Sequence, residues 1–153
     1  YDCPVIGSQG IGIELTPKQF RKEIARARTY GYMKDVERLW AAGFALGSSL
    51  ENSVVIGDGR VVNPEGLRFA DEFVRHKVLD SIGDLALAGA PLQGMFRSYK
   101  GGHKLNAMAV AALLQQRDAW AVVSAPADRE SRAEGRGGLL AGMLAPALAP
   151  EVS

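Results

Sequence analysis

One segment of the sequence, residues 71–88, has the periodicity of a helix with two different faces. Apolar side chains recur at helical spacing along one face, at Val74, Val78, Ile82 and Leu85. A second row falls within a sector of roughly 80° on the nearly opposite face, and it consists of His76, Asp80 and Asp84. Such a helix needs a core on one side and presents imidazole and carboxylate groups on the other, which constrains the fold around it.

His76 and Asp80 stand one helical turn apart, a spacing at which two side chains can ligate one metal ion. The same spacing also occurs in ordinary surface ion pairs, and catalytic zinc usually takes three protein ligands. Spacing alone therefore leaves a metal site and a surface pair open. The chain has two histidines, His76 and His103, so any imidazole chemistry uses one of them.

Composition excludes several classes of protein. A chain of 153 residues can bury one hydrophobic core but not two. Its net charge of +1 and scattered lysines and arginines argue against binding to nucleic acid or a polybasic contact with membranes. The single cysteine, Cys3, excludes an internal disulfide and is predicted to be a small buried hydrophobe. Without a signal peptide or a long apolar run, we expect a cytoplasmic protein with no transmembrane segment, and peripheral contact with the inner membrane stays open.

Local patterns predict an α+β fold in which a sheet packs on helices in two layers. The predicted order is a strand at 11–15, a helix from the N-cap Thr16 to about 28, a helix at 34–42, a hairpin of 54–56 with 60–62, a turn at 63–66, the helix at 71–88, a strand at 93–99 and a helix at 103–116. On the last helix, the side chains expected to face inward are Leu105, Met108, Leu113 and Leu114. Segment 124–153 is rich in Ala, Pro and Gly and is predicted to be a tail, either flexible or docked through a short helix.

Four separated stretches resemble the UDP-3-O-acyl-N-acetylglucosamine deacetylases of lipid A biosynthesis. They are residues 27–33, 63–69, 71–85 and 99–106, and they follow the order of that family. The resemblance covers about residues 1–123 and is limited to the second, C-terminal domain of the family. It implies a five-stranded sheet packed on two helices, with a small βαβ insert at about residues 30–62.

The resemblance also implies what a domain of this kind lacks. In the family, a first domain carries a Glu-His pair, in which His is the third zinc ligand and Glu is the general base. The present sequence contains no Glu-His dipeptide, and its opening residues 1–4 resemble the junction between the two domains. We therefore expect a partial chain that needs a complementary first domain to complete the active site. A non-catalytic module that binds lipid or nucleotide sugar remains the alternative.

Further implications of the resemblance concern catalysis. They include zinc-dependent hydrolysis of the N-acetyl group of UDP-3-O-acyl-N-acetylglucosamine, with His76 and Asp80 as zinc ligands. His103, supported by Asp84, would be the acid-base group that stabilises the oxyanion and protonates the leaving amine. Thr29 would contact the reacting carbonyl, with helix or turn capping as its other possible role.

The substrate-binding residues implied by the resemblance are spread over the chain. Lys77 would contact substrate oxygens and Lys100 would cover the uridine diphosphate portion, although a solvated surface position is open for both. Tyr30 and Tyr32 would line the sugar site and the mouth of the passage for the acyl chain. The passage itself is expected to be lined by Met33, Val36, Leu50 and Val55. An ordinary core role remains open for these four, and the acyl length is not predicted.

Overall fold

The computed structural model of the chain describes residues 3–124, so the predictions for the tail lie almost wholly outside the described residues. The elements in chain order are α1 (Pro17–Gln19), continued by a π-helical turn (Phe20–Ile24), β1 (Thr29–Tyr32), α2 (Met33–Ala41), β2 (Ser53–Gly57), β3 (Arg60–Val61), α3 (Glu72–Leu85) and α4 (His103–Gln115). Short 3-10 turns follow α3 at Ala86–Ala88 and α4 at Arg117–Ala119. None of the described helices is long and apolar enough to cross a membrane.

The strands form one mixed three-stranded sheet in the order β1-β2-β3. β1 and β2 are parallel, with Tyr30 opposite Val54, and α2 connects them, so β1-α2-β2 is a βαβ unit. β3 returns antiparallel to β2 through a two-residue turn at Asp58 and Gly59, whose φ angles of 50° and 70° are those of the turn that favours hairpins. This content confirms that the fold mixes helices and strands, as the α+β prediction requires, while the described sheet has three strands where the resemblance implies five.

The predictions of strands at 11–15 and 93–99 were wrong, because neither segment is a strand in the structure. Alternating side chains favour a strand only where a neighbour pairs with its backbone and one face is buried. Within residues 3–124 the sheet consists of β1, β2 and β3 alone, and Met95 in the second segment is 96% exposed. Neither segment has a pairing partner, so both take irregular conformations, although Ile11 and Ile13 in the first are partly buried.

Two helix boundaries agree with the sequence-based predictions. The Thr16 hydroxyl accepts a hydrogen bond from the backbone N–H of Gln19 at 3.1 Å, so Thr16 is the N-cap of α1. After α2, Gly43 has a φ of 78° and the N–H of Phe44 donates to the carbonyl of Leu39 at 2.8 Å. This is a Schellman C-cap, in which glycine adopts the left-handed conformation at no steric cost.

The core joins the sheet to the start of α3. Its buried side chains are Cys3, Ile6, Val54, Ile56 and Phe73, which confirms the predicted burial of the cysteine. α3 buries Glu72 and Phe73, whereas the predicted apolar stripe of Val74, Val78, Ile82 and Leu85 is only partly buried. α3 therefore meets the sheet with the side that carries His76, because Phe73 lies one turn before that histidine on the same side.

The predicted inward face of α4 was wrong for three of its four side chains, because Leu105, Met108 and Leu114 are exposed and Leu113 is partly buried. Leu105 and Met108 are 53% and 57% exposed, whereas Asn106 and Val110 are buried. α4 packs against α3, and Asn106 hydrogen-bonds to two side chains of α3, which fixes the rotation of the helix. A polar contact thus determines which side of α4 is buried, and a prediction from apolar spacing alone cannot detect it.

Candidate active site

A buried ion pair fixes the first turn of α3 against the segment before β1. The side chains of Arg28 and Glu72 are 1% and 0% exposed. Arg28 donates to Glu72 Oε1 from both its backbone N and its Nε at 3.0 Å, and the backbone N of Arg68 donates to Oε2 at 2.6 Å. Burial by itself raises the pKa of Glu72, but the hydrogen bonds from Arg28 and Arg68 outweigh it and bring the pKa below its ordinary value.

This pair positions the backbone carbonyl that orients His76. Ala27 precedes Arg28, and its carbonyl oxygen lies 3.1 Å from His76 Nδ1. A carbonyl can only accept, so Nδ1 carries a proton, and in the neutral ring Nε2 then has the lone pair that a metal ion requires. Nε2 lies 3.2 Å from Asp80 Oδ1.

The His76–Asp80 pair has the spacing of two ligands on one tetrahedral metal ion. Nitrogen and oxygen ligands at the usual zinc distances of about 2.0–2.2 Å lie about 3.4 Å apart in a tetrahedral site, close to the observed separation. Across residues 3–124, no three His, Cys, Asp or Glu side chains are grouped so that they could hold a metal ion. The described residues thus offer two protein ligands to such an ion.

Lys77 and Tyr30 complete the surroundings of the His76–Asp80 pair. The Lys77 ammonium is 3.2 Å from Asp80 Oδ2, which leaves Oδ1 directed toward His76. The same ammonium lies 5.6 Å from the ring centroid of Tyr30, and that ring packs edge-on against Phe73 at 5.0 Å and approaches His76 at 6.3 Å. The structure therefore brings four predicted site residues together, two as candidate ligands and two as candidate substrate contacts.

A second cluster lies one turn further along α3, about 6 Å along the helix axis. Asp84 accepts hydrogen bonds from His103 Nδ1, at 2.9 Å to Oδ2 and 3.0 Å to Oδ1. The His103 side chain is 70% exposed, so its Nε2 can be reached from outside the helix pair. A hydrogen bond from Asn106, then one from His103, hold the pKa of Asp84 below its ordinary value although burial opposes them. An ionised Asp84 only accepts, which keeps a proton on His103 Nδ1.

Two other predicted residues lie apart from these clusters. Thr29 is exposed at the start of β1, opposite Ser53. Lys100 lies in the loop before α4 with a φ of 50°, and its ammonium is 5.8 Å from the ring centroid of Tyr99. Their roles toward a substrate stay predictions.

The residues predicted to line the passage lie within the βαβ unit and differ in how deeply they are buried. Met33 and Val36 on α2 are partly buried, and Val36 packs over Gly31. Val55 is enclosed in β2 at 5% exposure, whereas Leu50 is 40% exposed in the loop before that strand. Tyr32 ends β1 and packs against the core, with the Lys34 ammonium 5.8 Å from its ring centroid. A passage between these side chains stays a prediction.

Comparison with known protein families finds one that matches most of the chain. Residues 1–115 match the family model described as UDP-3-O-acyl N-acetylglycosamine deacetylase. This chain belongs to that deacetylase family. The match confirms the family resemblance predicted from the four sequence stretches.

Curated relatives of this chain are longer than the region that they share with it. Proteins named UDP-3-O-acyl-N-acetylglucosamine deacetylase from Brucella ovis, Brucella canis and Brucella melitensis are each 59% identical to it over 126 residues. The aligned region is 82% of this chain and 44% of each relative. The chain thus spans less than half the length of the curated relatives that it matches.

Two features of this candidate site were not predicted from the sequence. Asn106, which donates to Asp84, stands three residues after His103 and therefore on the same side of α4, and that spacing was the available signal. The Arg28–Glu72 pair joins residues 44 positions apart, which no local pattern can predict. Both features hold the predicted site residues in place, and neither supplies a further candidate ligand or acid-base group.

Proposed function

We propose that this chain is part of a zinc-dependent deacetylase that hydrolyses the N-acetyl group of UDP-3-O-acyl-N-acetylglucosamine in lipid A synthesis. The observation that carries the proposal is the row on α3, where the His76–Asp80 pair lies one turn from the Asp84–His103 pair. Membership of the deacetylase family supports both the hydrolysis and the choice of zinc. The third zinc ligand and the general base would come from a complementary first domain.

His76 and Asp80 would hold the zinc ion through Nε2 and Oδ1, in line with their 3.2 Å separation. A zinc ion bound there would supply Lewis-acid polarisation of the acetyl carbonyl and would lower the pKa of a water molecule. The Ala27 carbonyl keeps the His76 ring in place through Nδ1, which is the usual task of an outer hydrogen-bond partner. Lys77, held beside Asp80, would contact an anionic oxygen of the substrate.

His103 would act on the leaving group. Amide hydrolysis breaks a carbon–nitrogen bond, and the departing nitrogen needs a proton to leave as an amine. With Nδ1 hydrogen-bonded to Asp84, the exposed Nε2 of His103 is the atom that can donate it. In its charged form the same ring stabilises the oxyanion that precedes bond cleavage, and Thr29 would hydrogen-bond to the same oxygen.

The remaining contacts would bind the nucleotide sugar and the acyl chain. Tyr30 packs between Phe73 and the Lys77 ammonium, so its ring is held beside the His76–Asp80 pair, where it would contact the sugar. Tyr32 is the last residue of β1, directly before α2, and would line the mouth of the acyl passage. Lys100, in the exposed loop before α4, would interact with the diphosphate through its charge.

A chimera tests the proposed function directly. In the Brucella ovis relative, the region that aligns with this chain would be replaced by the chain, because the two are 59% identical over 126 residues. We expect the chimera to release acetate from UDP-3-O-acyl-N-acetylglucosamine. The measurement is product formation by mass spectrometry, with the same chimera carrying Asp80→Ala as the matched control.

Two outcomes would contradict the proposal. If the folded chimera does not hydrolyse the substrate, or if the Asp80→Ala control is equally active, the assignment of the chain to this reaction is wrong. Binding of the nucleotide sugar without hydrolysis would favour the alternative of a non-catalytic module.

Enlarging Leu50 is expected to penalise substrates with long acyl chains. Leu50 is 40% exposed, so Leu50→Trp adds bulk at the predicted passage without overpacking β2, which a change at the enclosed Val55 would do. Each excluded methylene forfeits up to about 0.8 kcal/mol of binding. The measurement is kcat/KM of the chimera across a series of acyl lengths, and the matched control is Leu46→Trp in the same loop. An equal loss at every length would show that Leu50 does not line the passage.

A further inference from the structure

Asn106 is a buried polar side chain at the contact between α3 and α4. It is 3% exposed and stands one turn after His103 on α4. Its side-chain nitrogen donates to Asp84 Oδ2 at 2.9 Å and to the hydroxyl of Ser81 at 3.3 Å. Both amide hydrogens are therefore directed toward α3.

The hydrogen-bond partners leave one orientation for this amide. Ser81 uses its hydroxyl proton to donate to the carbonyl of Lys77 at 2.9 Å, so its oxygen is free to accept. The ionised carboxylate of Asp84 can only accept. Turning the amide would place its oxygen against two acceptors, and the nitrogen must therefore face α3.

Asn106 and His103 converge on one carboxylate. Asp84 Oδ2 receives a hydrogen bond of 2.9 Å from each of them, and Oδ1 lies 3.0 Å from His103 Nδ1. The charge of Lys77 also acts on Asp84. Without the amide, the carboxylate would be held mainly by His103, whose own side chain is mostly exposed.

We propose that Asn106 is a positioning residue, which holds Asp84 so that the carboxylate keeps the proton of His103 on Nδ1 and its Nε2 toward the substrate. The inference rests on the proposed role of His103 as the acid-base group. Asn106 itself would not touch the substrate, since it is 3% exposed and its amide nitrogen donates only to α3. It acts through Asp84, which lies one helical turn beyond the His76–Asp80 pair on α3.

Nuclear magnetic resonance of the 153-residue chain tests the positioning without any need for activity. The ring nitrogens of His103 and the carboxyl carbon of Asp84 would be followed through a pH titration. In the wild-type chain we expect neutral His103 to carry its proton on Nδ1. Asn106→Ala should give a mixture of both tautomers and move the Asp84 midpoint to higher pH. Ser81→Ala, which leaves the Asn106–Asp84 bond in place, is the matched control and should change neither signal.

An unchanged tautomer and Asp84 midpoint in folded Asn106→Ala would overturn the proposal. If that variant does not fold, the same pH titration of the wild-type chain still tests the proposal. The side-chain amide signals of Asn106 should then shift with the same midpoint as the Asp84 carboxyl, and shifts that are independent of it would overturn the proposal equally.

Kinetics of the chimera separate this inference from the proposed function. We expect Asn106→Ala to lower kcat by about 10–100-fold, the usual cost of losing an outer hydrogen-bond partner, with KM little changed. In an Asp84→Ala background the same change should add almost nothing, because the two residues act as a unit. Full additivity would contradict positioning through Asp84. An inactive parent chimera would instead contradict the proposed function and leave the tautomer measurement to judge Asn106.

Discussion

Removing the carboxylate of Glu72 is expected to lower the free energy of unfolding by about 3–5 kcal/mol, since it leaves a buried charge without its partner. In Glu72→Ala, the guanidinium of Arg28 and the backbone N–H of Arg68 lose the acceptor that joins them to α3. Equilibrium unfolding in urea, followed by circular dichroism, measures the change. The matched control is Glu37→Ala on the exposed side of α2, where a change within about 0.5 kcal/mol is expected.

The same pair gives the stability a defined pH dependence. Because the pKa of Glu72 is lower in the folded chain than in the unfolded chain, its contribution is fully present above the unfolded value of about 4.3. The contribution is lost as the pH falls through the folded pKa. The difference in unfolding free energy between the wild-type chain and Glu72→Gln should therefore shrink on acidification below about pH 4. A difference that grows on acidification, or equal stability of Glu72→Ala and the wild-type chain at neutral pH, would contradict the role of this pair.

The sequence was sufficient where the signal is local. The row of His76, Asp80 and Asp84 follows from helical spacing within one element, and the structure has that element as α3. The hairpin and the Thr16 cap were predictable for the same reason, because turn and cap residues interact within a few positions. The contact between Asp84 and His103 was the one long-range interaction that the motif suggested, and its hydrogen bonds are present.

Contacts between distant segments could not be predicted in this way. The Arg28–Glu72 pair depends on how the segment before β1 meets α3. The buried side of α4 is determined by hydrogen bonds from Asn106 to α3, whereas apolar spacing favoured Leu105 and Met108. The residues at 93–99 alternate like a strand, but a strand also needs a neighbour to pair with. In each case a tertiary interaction overrides a local preference.

Loss of a zinc ligand and loss of the acid should have different effects in the chimera. We expect His76→Ala and Asp80→Ala to abolish both zinc binding and deacetylation, because each removes one of the paired ligand atoms 3.2 Å apart. His103→Ala should retain zinc and lower kcat by about 10²–10³, the usual cost of removing one oxyanion partner. The ring of His103 hydrogen-bonds to Asp84 and is not one of the two proposed zinc ligands.

The most direct test is the zinc content per polypeptide of these three purified variants, measured by elemental analysis after dialysis beside the parent chimera. The account predicts one zinc ion in the parent and in His103→Ala, and little zinc in His76→Ala and Asp80→Ala. Full zinc content in folded His76→Ala and Asp80→Ala, or loss of zinc in folded His103→Ala, would contradict the assignment of His76 and Asp80 as the zinc ligands.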